Sequence, residues 1–209
     1  MSRKRPRTAP KKPQNAARQG SRQALTKATA TGQLRIIGGQ WRSRKLSFPA
    51  VDGLRPTGDR WRETLFNWLA PVIPGARCLD AFAGSGALGL EALSRGAAQC
   101  TFIEANPQAA RALQSNMALL SAEGGKIIAQ SAETALTTIS DRFDIVFLDP
   151  PFAMNIDELT EKIDGICSDQ ALIYYEKSPK MPFSAPAHWQ LEKHKQSGQI
   201  DASLYRVKR

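Results

Sequence analysis

The stretch "LDAFAGSGALGLEA", residues 79–92, decides the fold. It reads as the end of a strand that breaks at Gly84-Ser85-Gly86 and re-enters the chain as a helix. Glycines at such a turn let the backbone approach a ligand closely. Gly84, Gly86 and Gly89 satisfy G-x-G-x-x-G, and Glu104 lies twenty residues beyond Gly84. An acid at the end of the next strand is placed to bind the hydroxyls of a ribose. A ribose is common to NAD and S-adenosylmethionine, so these residues alone do not choose between them.

Working outward, strands and helices alternate. "ARCLDAF" reads as a strand and Gly86 to Arg95 as a helix. "CTFIEA" is a second strand, followed by a helix that starts at Pro107 with Asn106 as its cap. "KIIAQ", "FDIVFLD" and "ALIYYE" continue the pattern, with a short helix from Ala132 and another lined by Ile156, Leu159, Ile163 and Ile166. Alternation of this kind predicts a parallel sheet with helices on both faces. The last two runs, "WQLEKHK" and "QIDASLYRV", flank Ser197-Gly198 and predict an antiparallel hairpin.

The fourth strand ends in "FDIVFLDPPF", residues 143–152. In an open parallel sheet, ligands sit beyond the carboxyl ends of the strands. Asp80, Glu104 and Asp149 all fall at such ends. Asp80 favours a cationic ligand over a pyrophosphate, which gains nothing from a carboxylate. The Pro150-Pro151 corner fixes φ and lacks N–H donors, so it presents carbonyl acceptors in a set shape. An exocyclic amine on a nucleobase needs such acceptors, because its lone pair is delocalised into the ring. With Asp149 and the Pro150 carbonyl taking its hydrogens, the nitrogen can aim that lone pair at a methyl group while Phe152 stacks on the base.

The N-terminus differs from the rest. The net charge is +10, yet residues 1–33 hold nine of the 29 Lys and Arg and none of the 19 Asp and Glu. The excess is a tail, suited either to neutralising nucleic-acid phosphates or to simple solvation. Pro6, Pro10 and Pro13 would interrupt the amphipathic helix of a transit peptide. Next, "LRIIGGQWRSRKLSFP" places two β-prone runs around Gly38-Gly39, the expected hairpin turn. Trp41 with Arg42, Arg44 and Lys45 on the second run suits either an RNA surface or the charged outer face of a plain edge hairpin. "LRPTGDRWRETLFNWLAP" then predicts a helix capped by Thr57, with Trp61, Leu65 and Trp68 as its apolar stripe. Arg55, Arg60 and Arg62 are left to meet substrate. Cys78, Cys100 and Cys167 form no CxxC pair, which points to a reduced, cytoplasmic protein without a metal site. No apolar run is long enough to span a membrane.

Four blocks carry a resemblance: "LRIIGGQWRSRKL", "GLRPTGDRWRETLFNWL", "CLDAFAGSGALGLEALSRGA" and "LDPPF", in that order. From about Leu34 onward the chain resembles the 16S ribosomal RNA guanine-N2 methyltransferases of the small-subunit methyltransferase D family. That resemblance implies a class I S-adenosylmethionine-dependent methyltransferase fold: α/β, Rossmann-like, with a seven-stranded, mostly parallel sheet, an antiparallel terminal hairpin and an N-terminal β-hairpin. Composition sets off a disordered basic tail (1–33), and the resemblance implies an RNA-binding hairpin (34–56) and a methyltransferase domain (57–209). It implies S-adenosylmethionine as cofactor and 16S rRNA, in the small subunit or an assembly intermediate, as partner, with the enzyme a monomer. Asp149, Pro150 and Phe152 match the catalytic motif. Asp80, Phe82, Gly84, Gly86, Glu104 and Ala105 match the cofactor loop and ribose acid, and Ser131 and Ala132 the adenine contact. Arg55, Thr57, Arg60 and Arg62 match the family's N-terminal block, where they are expected either to close over the cofactor or to guide RNA phosphates, and Arg42, Arg44 and Lys45 fall in the block before it. The 1–33 extension is longer and more basic than the family pattern. Rival readings are an adenine-N6 methyltransferase, a non-catalytic ribosome-assembly protein and an NAD-dependent oxidoreductase.

Overall fold

The computed structural model describes residues 1, 31–49, 58–151 and 154–209. Seven strands form one sheet in the order β5-β4-β3-β6-β7-β9-β8. They are β3 (Arg77–Asp80), β4 (Gln99–Ile103), β5 (Gly125–Ile128), β6 (Phe143–Leu148), β7 (Cys167–Lys177), β8 (Trp189–Ser197) and β9 (Ile200–Val207). β5, β4, β3, β6 and β7 are parallel, while β9 pairs antiparallel with both β7 and β8. The expected parallel sheet with an antiparallel terminal pair is therefore present. β3 ends at Asp80, two residues short of the expected Phe82. The order reverses between β3 and β6, so the crevice of the sheet opens where Asp80 and Asp149 emerge.

Period-two alternation sends the strand side chains to two cores. Cys78, Phe102, Ile145, Phe147 and Tyr174 face one layer, with α1 (Asp59–Leu69), α2 (Ala87–Ser94) and α3 (Pro107–Leu120). Leu79, Ile103, Val146, Leu148 and Tyr175 face the other, with α4 (Ala132–Ala135) and α5 (Thr160–Ile166). The Asn106 side chain caps α3 by accepting from the N–H groups of Gln108 and Ala109, and Pro107 follows at the first helical position.

A separate antiparallel pair, β1 (Thr31–Arg35) and β2 (Lys45–Pro49), packs on the first layer through Leu34, Leu46 and Phe48. β1 begins at Thr31, three residues before the expected boundary at Leu34. Gly38-Gly39 is not a tight hairpin turn, because residues 36–44 separate the strands. Trp41, Arg42 and Arg44 accordingly sit in that loop rather than on a strand. The glycines serve a close approach to the end of α2. Gly39 has φ +76°, and a Cβ there would lie 1.8 Å from the Ser94 carbonyl oxygen.

Glu91 of α2 anchors this loop. Its fully buried carboxylate accepts from the N–H groups of Ile37 and Gly38 at 2.8 Å each, from Arg95 at 2.7 Å and from Arg62 at 3.5 Å. The inner face of α1 is Arg62, Leu65, Phe66 and Leu69, with Trp61 and Trp68 only flanking it. The expected tryptophan stripe is thus displaced by an arginine that the periodicity assigned to the polar side. The residue preceding α1 is Gly58, which supplies no side-chain cap; Thr57 lies outside the described residues.

Candidate functional site

The carboxyl ends of β3, β4 and β6 bring Asp80, Glu104 and Asp149 to one rim. Asp80 is 1% exposed. It accepts from the Gly89 N–H at 2.9 Å, the third residue of α2. The N-terminal residue Gly86 offers no side-chain cap, so Asp80 satisfies one of the orphan donors of that helix from a neighbouring strand. Burial is the main force on this carboxyl. Together with the negative charges of Asp149 and Glu104, it outweighs the Gly89 and Phe82 hydrogen bonds and pushes Asp80 up to about 7.

Glu104 is half-buried and holds both sides of the loop: one oxygen accepts from the Gly84 N–H at 2.7 Å, the other from the Asn106 N–H at 2.6 Å. A carboxylate oxygen has two acceptor sites, so each retains one for a ligand hydroxyl. Gly84 and Gly86 both have positive φ, +52° and +79°. Gly89 serves close packing, since a Cβ there would fall 2.2 Å from the Phe102 ring. Phe82 packs partly buried on the second core and Ala105 is exposed. After β5, Ser131 caps α4 by accepting from the Thr134 N–H, and Ala132 is buried.

At the mouth of β6, Asp149 is half-buried, Pro150 buried and Pro151 exposed. Phe152 and Arg55 lie outside the described residues. The sheet adds a carboxyl that the sequence reading missed. Glu176, at the end of β7, is 3% exposed and accepts a hydrogen bond from the Tyr174 hydroxyl at 2.8 Å. Burial, then the charge of Asp149, pushes Glu176 up to about 8 against the opposing Tyr174 hydrogen bond. "ALIYYE" offered a signal in hindsight, an acid at a strand end, as in Asp80, Glu104 and Asp149.

The basic residues divide. Arg60 is exposed on the first turn of α1. Arg62 is 1% exposed, bound to Asp59 at 2.6 Å, to the Arg35 carbonyl at 2.9 Å and to Glu91. It is not left open to a substrate, because these two carboxylates and the Arg35 carbonyl hold it inside the fold. Burial alone would raise Asp59, but the hydrogen bonds of Arg35 and Arg62 prevail and hold its carboxyl below the usual range. Arg42, Arg44 and Lys45 are exposed, but not at the rim. Arg44 donates to the Leu119 carbonyl at the end of α3, and Trp41 N–H to Ser94 Oγ at the end of α2. Both helices start at the rim and run away from it, so Arg42 and Arg44 sit at the opposite edge of the sheet. β2 then runs back toward the rim, with the Ser47 carbonyl accepting from Asn116 of α3. Thr31, paired with Pro49, is therefore at the rimward end of the hairpin.

A family described as conserved hypothetical protein 95 matches residues 34–206. Ribosomal RNA small subunit methyltransferase D of Escherichia coli is 49% identical over 182 residues, covering 85% of this chain and 91% of the relative. The chain belongs to the small-subunit ribosomal RNA methyltransferase D family. The Haemophilus influenzae member of the family is 45% identical over 185 residues, covering 84% of this chain and 95% of the relative. A solved structure of a candidate methyltransferase from Escherichia coli superposes with a TM-score of 0.77 at 47% identity, covering 85% of this chain and 99% of that one. The family pattern and the sheet order thus agree on a methyltransferase fold. The family match begins at residue 34 and leaves the basic N-terminal segment outside it.

Proposed function

We propose that this chain transfers a methyl group from S-adenosylmethionine to the exocyclic N2 of a guanine in 16S rRNA, within the small ribosomal subunit or an assembly intermediate of it. The observation that carries the reading is the meeting of Asp80, Glu104 and Asp149 at one rim, close enough for Asp149 and Glu104 to raise the Asp80 carboxyl. Such a field favours a cationic ligand and disfavours the pyrophosphate of a dinucleotide. When bound, S-adenosylmethionine supplies an electrophilic methyl on a sulfonium that leaves as a neutral thioether.

The residues of this chain then have distinct tasks. Glu104 fixes the glycine loop through Gly84 and keeps acceptor sites for ribose hydroxyls. Asp80 serves the helix N–H groups, so it acts on the ligand through its field and through loop shape rather than by direct contact. Asp149 and the Pro150 carbonyl accept the two hydrogens of the guanine amine and turn its lone pair toward the methyl. Asp149 is then the nearest acceptor for the proton the nitrogen sheds once the N–C bond forms. Family membership and the "LRIIGGQWRSRKL" block support the ribosomal substrate. Thr31, the residue to which the basic segment is joined, lies at the rimward end of the hairpin, and this supports a role for that segment in meeting the RNA.

Asp149→Asn tests the reading. Methyl transfer to small subunits should fall about a hundredfold or more, while S-adenosylmethionine affinity changes by less than about threefold. Wild-type turnover in that variant would remove Asp149 from the chemistry.

A further inference from the structure

β6 and β7 run parallel with Leu148 beside Tyr175, so the residues that follow, Asp149 and Glu176, emerge side by side, about 4.8 Å apart by strand spacing. Alternation puts both on the face of Phe147 and Tyr174, the layer that also receives Asp80. Among the described residues, no Lys or Arg pairs with Glu176. Among the described residues, the groups acting on it are Asp149 from β6 and Tyr174 from its own strand, and its register partner on β9 is the uncharged Ala202. A buried carboxyl without a cation, next to a second carboxyl, is an arrangement in which one member keeps its proton.

We propose that Glu176 is a positioning residue for Asp149: a buried, neutral carboxyl held by Tyr174 that leaves Asp149 as the anion at the mouth of β6 and keeps it turned toward the amine. This rests on the methyl transfer proposed above. In the step, the C–S bond breaks with its electrons going to sulfur, the N–C bond forms, and the amine proton passes to the Asp149 carboxylate. Glu176 gains and loses nothing. It excludes a second negative charge that would push Asp149 out of place. Ionising Glu176 restores that charge, so the rate falls as pH rises through the alkaline titration of this residue. Tyr174 favours the ionised form by donating to it, so removing its hydroxyl moves the fall to higher pH.

Two measurements test this. The first is the pH profile of single-turnover methyl transfer to small subunits lacking the modification. Wild type should lose rate above about pH 8. Glu176→Gln, which keeps the neutral shape, should be about threefold slower at neutral pH and show no alkaline fall. Tyr174→Phe should shift the fall upward. An alkaline fall unchanged in both variants would overturn the proposal. The second needs no turnover: carbon-13 NMR of side-chain-labelled glutamates, assigned by Glu176→Gln. One carboxyl should titrate far above the usual range and move down in Asp149→Asn. Titration of Glu176 in the ordinary carboxylate range, or indifference to Asp149, would overturn it. A wild-type protein that methylates nothing yet shows the coupled titration would reject the methyl-transfer reading while leaving the coupled pair standing.

Discussion

Replacing Glu91 by alanine should detach the N-terminal hairpin from the methyltransferase body. The carboxylate is fully buried and accepts two backbone N–H groups at 2.8 Å and the Arg95 guanidinium at 2.7 Å. It also faces the buried Arg62 at 3.5 Å. Removing one partner of a buried ion pair costs about 3–5 kcal/mol, and each stranded amide about 1–3 kcal/mol. Arg95 is one-fifth exposed and turns to water, so it adds little. Asp59 and the Arg35 carbonyl still hold Arg62, and contributions within one network do not add, so the net loss is about 3–5 kcal/mol. For a chain of this length that is a fall in Tm of about 6–20 °C. Urea unfolding with an unchanged slope would measure it, and hydrogen exchange should show the Ile37 and Gly38 amides losing protection. Glu192→Ala, which breaks a partly exposed pair with Arg206, should cost under about 0.5 kcal/mol. A Glu91→Ala loss below about 1 kcal/mol would refute the hub assigned to this residue.

Other outcomes follow from the rim and the tail. Glu104→Ala should weaken S-adenosylmethionine binding by about tenfold or more, since it removes a ribose acceptor and releases Gly84; an unchanged Kd in calorimetry would end the ribose assignment. Asp80 titrates near about 4 when unfolded and near about 7 when folded. The stability it contributes is therefore complete below about pH 4 and lost as pH rises through about 7. A cationic ligand favours its ionised form, so S-adenosylmethionine should bind up to about tenfold tighter at about pH 8 than at about pH 6, and equally at both in Asp80→Asn. The same pH dependence in wild type and variant would sever Asp80 from the ligand. Deleting residues 1–30 should flatten the salt dependence of RNA binding by several units of slope if its nine basic residues meet phosphates; an identical slope would make the segment a bystander.

The parallel sheet was legible because its signals are local. Apolar runs end in Asp80, Glu104 and Asp149, a glycine turn follows the first, and Pro107 opens a helix where one was expected. Apart from strand boundaries, the differences concern residues whose partners are distant in sequence. Gly38-Gly39 looks like a hairpin turn until Ser94, more than fifty residues on, is seen beneath it. Arg62 looks like a surface cation because its buried partner, Glu91, is 29 residues away on another helix. Trp61 and Trp68 mark the rim of a helix face whose centre is Phe66, against Phe147. Glu176 carries no motif, and only the β6–β7 register sets it beside Asp149. Arg42 and Arg44 are exposed as expected, and what the sequence does not show is their position at the end of the sheet opposite the rim, which follows from the direction of β2 along α3.

Incubating the protein with labelled S-adenosylmethionine and small ribosomal subunits that lack the guanine N2-methyl group, then digesting the RNA to nucleosides, identifies the base that is methylated. Label in N2-methylguanosine is the predicted result. Label in N6-methyladenosine, or none despite tight binding of S-adenosylmethionine, would contradict it.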